Sequence, residues 1–300
     1  MIRILASDGI ESAAAEALAA KGFEVVNEHY EAEELAAKIA DFDCILVRSA
    51  TKVRTAVIDA AAASGRLKLI VRGGVGVDNI DVDYAEGKGI TVRNTPAASS
   101  ASVAELVIGH MFCLARHIHA ANVTMHEGKW EKKKYEGCDL AGKTLGLIGL
   151  GRIGRLVAEK AAALGMDIIY TDVVGALDGV PYRYGSAEEV LRAADFLTLH
   201  VPACEWPVIG AEQIALMKDG AYIVNTARGG LIDYDALFAA LDSGKLAGAA
   251  LDVFPEEPPA DERFASRLDL SLTPHIGAST KEAQERIGGE IVSIVSEFFA

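Results

Sequence analysis

A glycine-rich turn between an apolar strand pattern and a helix pattern constrains the fold of this chain more than any other stretch. The run Lys143–Gly154 contains Gly149, Gly151 and Gly154 in the spacing G-x-G-x-x-G. Gly149 permits a tight turn, Gly151 lets a pyrophosphate approach the backbone, and Gly154 lets the helix pack closely on the sheet. An anion is favoured at the helix N-terminus by free N–H groups and the helix dipole. The run therefore predicts a dinucleotide-binding site.

A second apolar strand pattern, Asp167–Thr171, follows the helix and ends at Asp172. An acid that binds the ribose hydroxyls of a dinucleotide is expected about 20 residues beyond the last glycine. Asp172 meets this expectation. Its charge would repel a 2′-phosphate, so the sequence predicts NAD rather than NADP as the cofactor.

Charge and length limit the remaining possibilities. A chain of 300 residues is long enough for two domains. The net charge of −14 argues against nucleic acid or an anionic membrane as a partner, and it requires a local cluster of cations for any anionic substrate. No apolar run reaches the ~18–20 residues of a membrane span, and no signal peptide is recognisable, so a cytoplasmic location is expected. No metal-ligand spacing occurs, and no metal is predicted.

Residues 1–95 alternate short apolar runs with Ala-rich amphipathic stretches, which predicts a small parallel α/β unit. Ligands of such sheets bind beyond the carboxyl ends of the strands. Two predicted strand ends carry an arginine beside small residues: Arg48 with Ser49, and Arg72 with Gly73 and Gly74. These arginines are either solvated edge charges or an anion site, and their surroundings favour the anion site.

A small-residue crossover near residue 95 leads into a pattern that predicts one long helix, Val103–His119, and we place the first domain boundary there. A lysine run that includes Lys132 follows. Such a run usually forms a solvated face, but an acidic chain that binds an anion also needs cations.

Polar residues follow each further predicted strand of the second domain. Four polar strand ends on one edge predict an active-site rim. These ends are His200-Val201-Pro202, residues 225–230, residues 251–258 and residues 273–277. The final predicted helix, Lys281–Phe299, has an apolar face that is expected to pack back on the first domain.

Arg228, Glu257 and His275 are the candidate catalytic residues on this rim. A histidine after a strand and a proline is often structural, but this one shares its edge with a carboxylate and an arginine. Hydride loss from a carbinol carbon needs a base for the hydroxyl proton, and histidine titrates near neutral pH. A neighbouring carboxylate orients the ring, and an arginine can pair with a substrate carboxylate.

Between Cys44 and Arg286 the chain resembles the D-isomer-specific 2-hydroxyacid dehydrogenases. The glycine motif and the Arg228, Glu257, His275 set are typical of the superfamily. Segments 49–52 (Ser-Ala-Thr-Lys) and 277–283 (Gly-Ala-Ser-Thr-Lys-Glu-Ala) are similar to its phosphoglycerate branch. The resemblance implies two doubly wound parallel-sheet α/β domains, with a Rossmann NAD domain (96–277) inserted into a flavodoxin-like substrate domain (1–95 and 278–300).

The resemblance also implies roles for single residues. Arg228 matches the substrate-carboxylate arginine and His275 the acid/base, while Glu257 is preferred to Glu256 as the partner of His275 because it directly precedes a proline. The implied cofactor-binding residues are Gly149, Gly151, Arg152, Ile153, Gly154, Asp172, His200, Val201, Pro202, Thr226, Ala227 and Asp252. The implied substrate-binding residues are Arg48, Ser49, Arg72, Gly73, Gly74 and Lys132, the last reaching a phosphate from the partner subunit of a homodimer.

The implied activity is NAD-dependent oxidation of 3-phospho-D-glycerate, the first step of phosphorylated serine biosynthesis. One alternative is a glyoxylate or hydroxypyruvate reductase, which has no need of the cations that a phosphate requires. Another is a non-catalytic NAD-sensing scaffold similar to corepressors of this fold.

Two departures from the family stand out: the loop Ala203–Gly210 is unusual, and the chain ends at Ala300, where longer members continue into a serine-binding domain. Insensitivity to serine is therefore expected.

Overall fold

A computed structural model describes residues 1–300, which form two compact units: Met1–Ser99 together with Ala278–Ala300, and Ser100–Gly277. Each unit holds one parallel sheet with helices on both faces. The chain leaves the first unit four residues later than the boundary predicted at 95/96. Thr95 accepts a 2.7 Å hydrogen bond from the amide of Gly74, and Ala98 is 2% exposed in the core, which ties this segment to the first unit.

The sheet of the first unit has the strand order β2-β1-β3-β4-β5, with every pair parallel. This is the flavodoxin-like order. Its strands are β1 (Arg3–Ala6), β2 (Glu24–Val26), β3 (Cys44–Val47), β4 (Leu69–Arg72) and β5 (Thr91–Asn94).

Five helices cover this sheet, and one of them comes from the far end of the chain. They are α1 (Ser12–Ala20), α2 (Ala32–Lys38), α3 (Thr55–Ser64), α4 (Val82–Gly87) and α11 (Lys281–Phe298). Helices α1 and α11 contribute to the core on one face, and α2, α3 and α4 to the core on the other. At Gly288 of α11 an added Cβ would lie 2.8 Å from the Cβ of Ala14, so glycine permits the close approach of α11 to α1.

The sheet of the second unit has seven parallel strands in the order β12-β11-β10-β9-β6-β7-β8. Counted from its own first strand, this is the Rossmann order 3-2-1-4-5-6 with one further strand at the edge. The order reverses between β9 and β6, and a ligand is expected at that crevice. The strands are β6 (Thr144–Ile148), β7 (Asp167–Thr171), β8 (Arg183–Tyr184), β9 (Phe196–Leu199), β10 (Ala221–Asn225), β11 (Leu246–Leu251) and β12 (Leu270–Leu272).

Helices α5 and α7 pack on one face of this sheet, and α8, α9 and α10 pack on the other. The helices of the unit are α5 (Ser100–Ala115), α6 (Ile118–His126), α7 (Arg152–Ala163), α8 (Ala187–Ala193), α9 (Ala211–Leu216) and α10 (Tyr234–Asp242). Short 3-10 turns lie at Lys132–Lys134 and Gly229–Leu231.

The predicted single helix Val103–His119 is wrong, because α5 ends at Ala115 and α6 begins at Ile118. Between them His117 adopts a left-handed backbone with φ 51°, which an α-helix cannot accommodate. No single helix is long and apolar enough to span a membrane; α5 and α6 together meet length and composition criteria, but they are bent by 66°.

Candidate active site

The glycine turn after β6 forms an open cradle at the N-terminus of α7. An added Cβ on Gly149, which has φ 91°, would lie 2.5 Å from the carbonyl oxygen of His200. At Gly154 it would lie 2.5 Å from the carbonyl oxygen of Gly149, whereas at Gly151 it would meet nothing within 4 Å. Gly149 and Gly154 thus permit close backbone packing that a side chain would prevent. Gly151 leaves open space over the backbone, as a bound pyrophosphate requires.

Asp172 lies beside this turn, directly after β7. Its carboxylate accepts hydrogen bonds from the amides of Leu150 at 2.8 Å and Val174 at 3.2 Å. The Leu150 contact fixes the acid against the glycine turn itself. This is the place where an acid that binds ribose hydroxyls belongs.

A buried hydroxyl without a partner lies on the same edge of the sheet. Thr226 follows β10 and is 9% exposed, and its Oγ1 has no hydrogen-bond partner. The side chain of Asn225 shapes this turn by accepting from the amide of Ala227 and donating to the carbonyl of Arg228. An unsatisfied buried hydroxyl costs about 1–3 kcal/mol, which a ligand at this edge would offset. Together with the glycine cradle and Asp172, this atom fits a dinucleotide.

The turn that carries Arg228 packs directly on the segment that precedes Glu257. An added Cβ on Gly229 would lie 1.9 Å from the carbonyl carbon of Phe254, so only glycine allows this contact. Arg228 is partly buried, and its Nη1 donates to the carbonyl of Ala227 at 2.5 Å. The two loops after β10 and β11 are therefore locked against each other.

Glu257 pairs with His275, and the adjacent Glu256 does not. The Nδ1 atom of His275 lies 2.8 Å from Oε2 of Glu257, and Oε1 of Glu257 accepts from the amide of Phe254 at 3.1 Å. A carboxylate can only accept, so Nδ1 carries the proton and Nε2 of the neutral ring is left as the acceptor. About a third of each side chain is exposed, at 38% for His275 and 36% for Glu257, so the pair is accessible to a substrate.

His275 has a left-handed backbone with φ 54°, a conformation that is uncommon outside glycine. The carboxylate of Asp252, 1% exposed, stabilises it by accepting from the amides of Ile276 at 2.8 Å and Gly277 at 2.9 Å. Asp252 was expected beside the cofactor. In the structure it also shapes the turn that presents the imidazole.

A cavity of about 400 Å³ adjoins the histidine and its carboxylate partner. Its wall is largely apolar, with Phe254, Leu272 and Pro274 among its residues. On the outer side of this region Tyr234 is largely buried; burial, and secondarily the nearby Glu257 charge, raise the pKa of its phenol. Tyr234 therefore stays neutral, and the carboxylate of Glu257 pairs with His275.

His200, Val201 and Pro202 follow β9 and face the glycine turn across the crevice, where Val201 Cγ1 would lie 2.9 Å from a Cβ on Gly149. Burial lowers the pKa of His200 to about 4. Its Nε2 lies 3.1 Å from Oγ1 of Thr198. His200 is therefore a neutral wall residue at physiological pH.

In the first unit, Arg48 and Arg72 lie at neighbouring strand ends, because Val47 of β3 pairs with Arg72 of β4. A Cβ on Gly74 would lie 1.4 Å from Nη1 of Arg72, so the guanidinium occupies the space that the missing side chain leaves. Ser49 is exposed beside Arg48, and Gly73 is buried beside Arg72. The structure thus places the predicted residues of this unit on one edge of its sheet.

Two residues that hold this edge were missed in the sequence. The carboxylate of Asp8 accepts from the amides of Arg48 at 2.6 Å and Thr51 at 3.1 Å, and Nδ2 of Asn79 donates to the carbonyls of the same two residues at 2.9 and 2.7 Å. They clamp the Arg48 loop from both sides. The polar pair Ser7-Asp8 after β1 was the available signal for Asp8, and the position of Asn79 behind the glycine-rich loop was the signal for Asn79.

Lys132 lies in an exposed 3-10 turn and makes no ion pair or hydrogen bond with the residues above. Its neighbours Lys129 and Lys134 pair with Glu127 and Glu131 at 2.7 and 2.6 Å. The structure does not bring Lys132 to the site residues of its own unit.

A family model for the D-isomer specific 2-hydroxyacid dehydrogenase, NAD binding domain, matches residues 108–277. The hydroxypyruvate reductase of Thermotoga maritima is 49% identical over 296 residues, which are 97% of this chain and 96% of the relative. The chain belongs to the D-isomer specific 2-hydroxyacid dehydrogenase family. Its second unit is an NAD-binding domain, so the predicted family and the predicted cofactor are confirmed.

Two further relatives show how far the similarity extends. The D-3-phosphoglycerate dehydrogenase of Methanocaldococcus jannaschii is 48% identical over 295 residues, but these are 96% of this chain and only 56% of that protein. The crystal structure of D-lactate dehydrogenase from Aquifex aeolicus, complexed with NAD and lactic acid, is similar with a TM-score of 0.86. It is 31% identical and covers 99% of this chain and 95% of the solved chain. The predicted fold of two parallel-sheet α/β domains is confirmed.

Proposed function

We propose that the chain oxidises 3-phospho-D-glycerate to 3-phosphohydroxypyruvate with NAD, the first step of phosphorylated serine biosynthesis. The observation that carries a dehydrogenase reaction is the 2.8 Å contact between Nδ1 of His275 and Oε2 of Glu257. It leaves Nε2 as a base beside a locked arginine loop, which a non-catalytic NAD-sensing scaffold would not need.

His275 takes the hydroxyl proton of the substrate at Nε2. Glu257 holds the opposite nitrogen, fixes the tautomer and stabilises the imidazolium that forms. In the reverse direction the same nitrogen returns the proton to the carbonyl oxygen, so one residue serves as base and as acid.

Arg228 binds the carboxylate of the substrate with its planar guanidinium. Such a pairing is bidentate, so it fixes the orientation of the carbon next to the carboxylate. The close packing of Gly229 on Phe254 keeps this arginine loop in a fixed position relative to Glu257.

The glycine cradle with the backbone of Arg152 and Ile153 would hold the pyrophosphate of the cofactor, and Asp172 its ribose. Val201 and Pro202 would line the adenine side. Thr226, Ala227 and Asp252 would lie on the nicotinamide side. When bound, NAD supplies the hydride acceptor.

Substrate choice rests on the cations of the first unit. Arg48 and Arg72 would bind the phosphate or carboxylate oxygens of the substrate, with Ser49, Gly73 and Gly74 leaving room for them. Lys132 would add a phosphate contact in a homodimer, which is consistent with its exposed position and its lack of an ion pair. The cytoplasmic location stays a prediction.

Reduction of hydroxypyruvate is the second candidate. It is supported by the hydroxypyruvate reductase of Thermotoga maritima, which matches this chain over 96% of its own length. A reductase of this kind would use the same His275, Glu257 and Arg228, but it would draw no benefit from phosphate-binding cations.

A substrate panel tests the proposal. Initial rates would be measured with NAD on 3-phosphoglycerate, D-glycerate and D-lactate, and with NADH on hydroxypyruvate and glyoxylate. The proposal expects the highest kcat/KM with 3-phosphoglycerate among the hydroxy acids. A clear preference for D-glycerate and hydroxypyruvate would establish the second candidate, and no turnover of any member would favour the scaffold.

Lys132→Ala, with Lys133→Ala as the matched control, separates the phosphate contribution. If Lys132 binds phosphate, its loss should raise KM for 3-phosphoglycerate by roughly ten-fold, because charge-assisted contacts are among the stronger ones. In Lys132→Ala, KM for D-glycerate should change little. In Lys133→Ala, KM should change little for either substrate. If Lys132→Ala changed KM equally for 3-phosphoglycerate and D-glycerate, Lys132 would belong to a solvated face.

A further inference from the structure

A buried chain of hydrogen bonds joins helix α5 to the turn that carries His275. His110 of α5 is 2% exposed. Its Nδ1 lies 2.9 Å from Oγ of Ser271, and its Nε2 lies 3.0 Å from Oγ1 of Thr273. Ser271 belongs to β12 and Thr273 follows its end, so a single imidazole bridges the last strand and the loop beyond it.

The protons in this chain can be placed from its hydrogen bonds. The hydroxyl of Thr273 donates to Oδ1 of Asp252 at 2.6 Å, so its oxygen must accept from Nε2–H of His110. Burial lowers the pKa of His110 despite the opposing effect of the Asp252 charge, so the ring is neutral. Its Nδ1 then accepts from the hydroxyl of Ser271. All three bonds point from Ser271 towards Asp252, an arrangement in which each bond strengthens the next.

The chain ends on the backbone of the catalytic turn. Asp252 accepts from Thr273 on one oxygen and from the amides of Ile276 and Gly277, at 2.8 and 2.9 Å. The amide of His275 itself donates to the carbonyl of Thr273 at 3.1 Å. The amides of His275 and of the two residues after it are therefore held by groups that connect back to His110.

Packing alone does not call for histidine at this place. The neighbouring buried residues of α5, Val107 and Met111, are both 0% exposed and apolar. An apolar residue at position 110 could also pack on the sheet, but it would leave the hydroxyl of Ser271 without this partner and the hydroxyl of Thr273 with Asp252 alone. A neutral imidazole offers one donor and one acceptor on separate edges, which matches these two hydroxyls.

We propose that His110 is a positioning residue for His275, acting through Thr273 and Asp252. It touches neither substrate nor cofactor. The neutral ring fixes the Thr273 hydroxyl, this hydroxyl fixes the Asp252 carboxylate, and the carboxylate holds the left-handed turn that aims the catalytic imidazole. The effect on turnover rests on the proposed function, whereas the effect on the turn does not.

Three variants test the role of His110. His110→Leu removes both hydrogen bonds at similar volume, and His110→Gln keeps a donor and an acceptor. Met111→Ala is the control for general damage to the same helix and core. Amide hydrogen exchange at residues 275–277 would be measured together with kcat, KM at saturating NAD, the NAD dissociation constant and Tm.

The proposal expects exchange at Ile276 and Gly277 to become about ten-fold faster or more in His110→Leu, since the turn opens locally. It also expects kcat to fall roughly ten- to a hundred-fold, because small misplacements of reacting groups have effects of this size. NAD affinity should change much less than kcat, because Asp252 is only one of several residues proposed to bind the cofactor. His110→Gln should restore most of the exchange protection and of kcat. Met111→Ala should lower Tm without changing the amide exchange of the turn or kcat.

Equal exchange in His110→Leu and Met111→Ala, or no rescue by His110→Gln, would overturn the proposal. A double-mutant cycle with Thr273→Val gives a second test: His110→Leu should have little further effect in that background, and additive losses would show that His110 does not act through Thr273. If His275→Ala keeps turnover, the proposed function fails, but the exchange rates still decide the role of His110.

Discussion

The amide of Leu150 donates a 2.8 Å hydrogen bond to the carboxylate of Asp172, and this contact ties the acid after β7 to the glycine turn after β6. The two residues lie at the ends of the neighbouring strands β6 and β7, and the two loops that begin there have different proposed roles. One loop leaves space for a pyrophosphate, and the other presents negative charge beside it. If Asp172 selects the cofactor as proposed, its carboxylate acts from a position that this hydrogen bond fixes.

Asp172→Ala should weaken NAD binding and improve the relative use of NADP, because the charge that repels a 2′-phosphate is removed. Dissociation constants for both dinucleotides can be obtained by calorimetric titration. Asp167→Ala is the matched control, since Asp167 is an exposed acid at the other end of the same strand. Unchanged NAD affinity in Asp172→Ala would show that this carboxylate does not contact the ribose.

Glu257→Gln should lower kcat by disturbing the tautomer and charge of His275, and His275→Ala should lower it further, by about 10²–10⁴-fold. Both variants should bind NAD almost as the parent does, because the pair acts on the substrate. Glu256→Gln is the control, as this neighbouring glutamate does not pair with the histidine. Comparable kcat losses in Glu256→Gln and Glu257→Gln would contradict the assignment of the partner.

Gly229→Ala should destabilise the protein and reduce activity, because its Cβ would overlap the backbone of Phe254 at 1.9 Å. Relief of such an overlap moves the Arg228 loop, and overpacking costs about 1–3 kcal/mol or more. Gly230→Ala offers a close comparison, since a Cβ there meets nothing within 4 Å. Urea unfolding of both variants should show a loss of free energy of unfolding in Gly229→Ala alone.

The free energy of unfolding should fall as the pH drops below neutrality. Burial lowers the pKa of His200 to about 4, whereas histidine in an unfolded chain titrates near ~6.5. The unfolded state therefore binds more protons within this window. The stabilisation is complete above pH ~6.5, and it is lost towards pH ~4 at no more than about 1.4 kcal/mol per pH unit.

Urea unfolding at several pH values, with the parent and with His200→Gln, measures this dependence. The variant should show a shallower fall, because one buried neutral histidine is absent. A second contribution of the same sign remains in both proteins, since burial also lowers the pKa of His110. Identical slopes would mean that His200 takes up its proton equally in the folded and unfolded states.

The parts of the site that lie within one short segment could be predicted from the sequence. The glycine turn is such a segment, because spacing alone decides which glycine packs and which stays open. Strand ends are another, since an apolar run followed by Arg228 or His275 places the polar residue on the ligand edge of a parallel sheet. The choice of Glu257 over Glu256 came from the family resemblance, in which the partner of the histidine directly precedes a proline.

Contacts between distant segments could not be predicted in this way. Asp8, after β1, meets Arg48 and Thr51 beyond the end of the neighbouring strand β3, and His110 reaches Thr273 from a helix that lies far earlier in the chain. A polar strand end can mark Asp8 as a candidate, but no local pattern identifies the partner in either contact. The break at His117 escaped for a different reason, because the apolar periodicity continues across it and only the backbone angle shows that the helix has ended.

The apolar face formed by Ile4, Leu46 and Val71 in the first sheet is covered by Ile287 and Ile291 of helix α11, which is synthesised after the whole of the second unit. The second unit is one continuous stretch, so it can fold as soon as Gly277 has emerged. The first unit, although its strands are made first, must wait for residues 281–298. While the NAD-binding unit is translated, the apolar face of the first sheet therefore lacks its covering helix, and a transiently exposed surface of this kind favours aggregation.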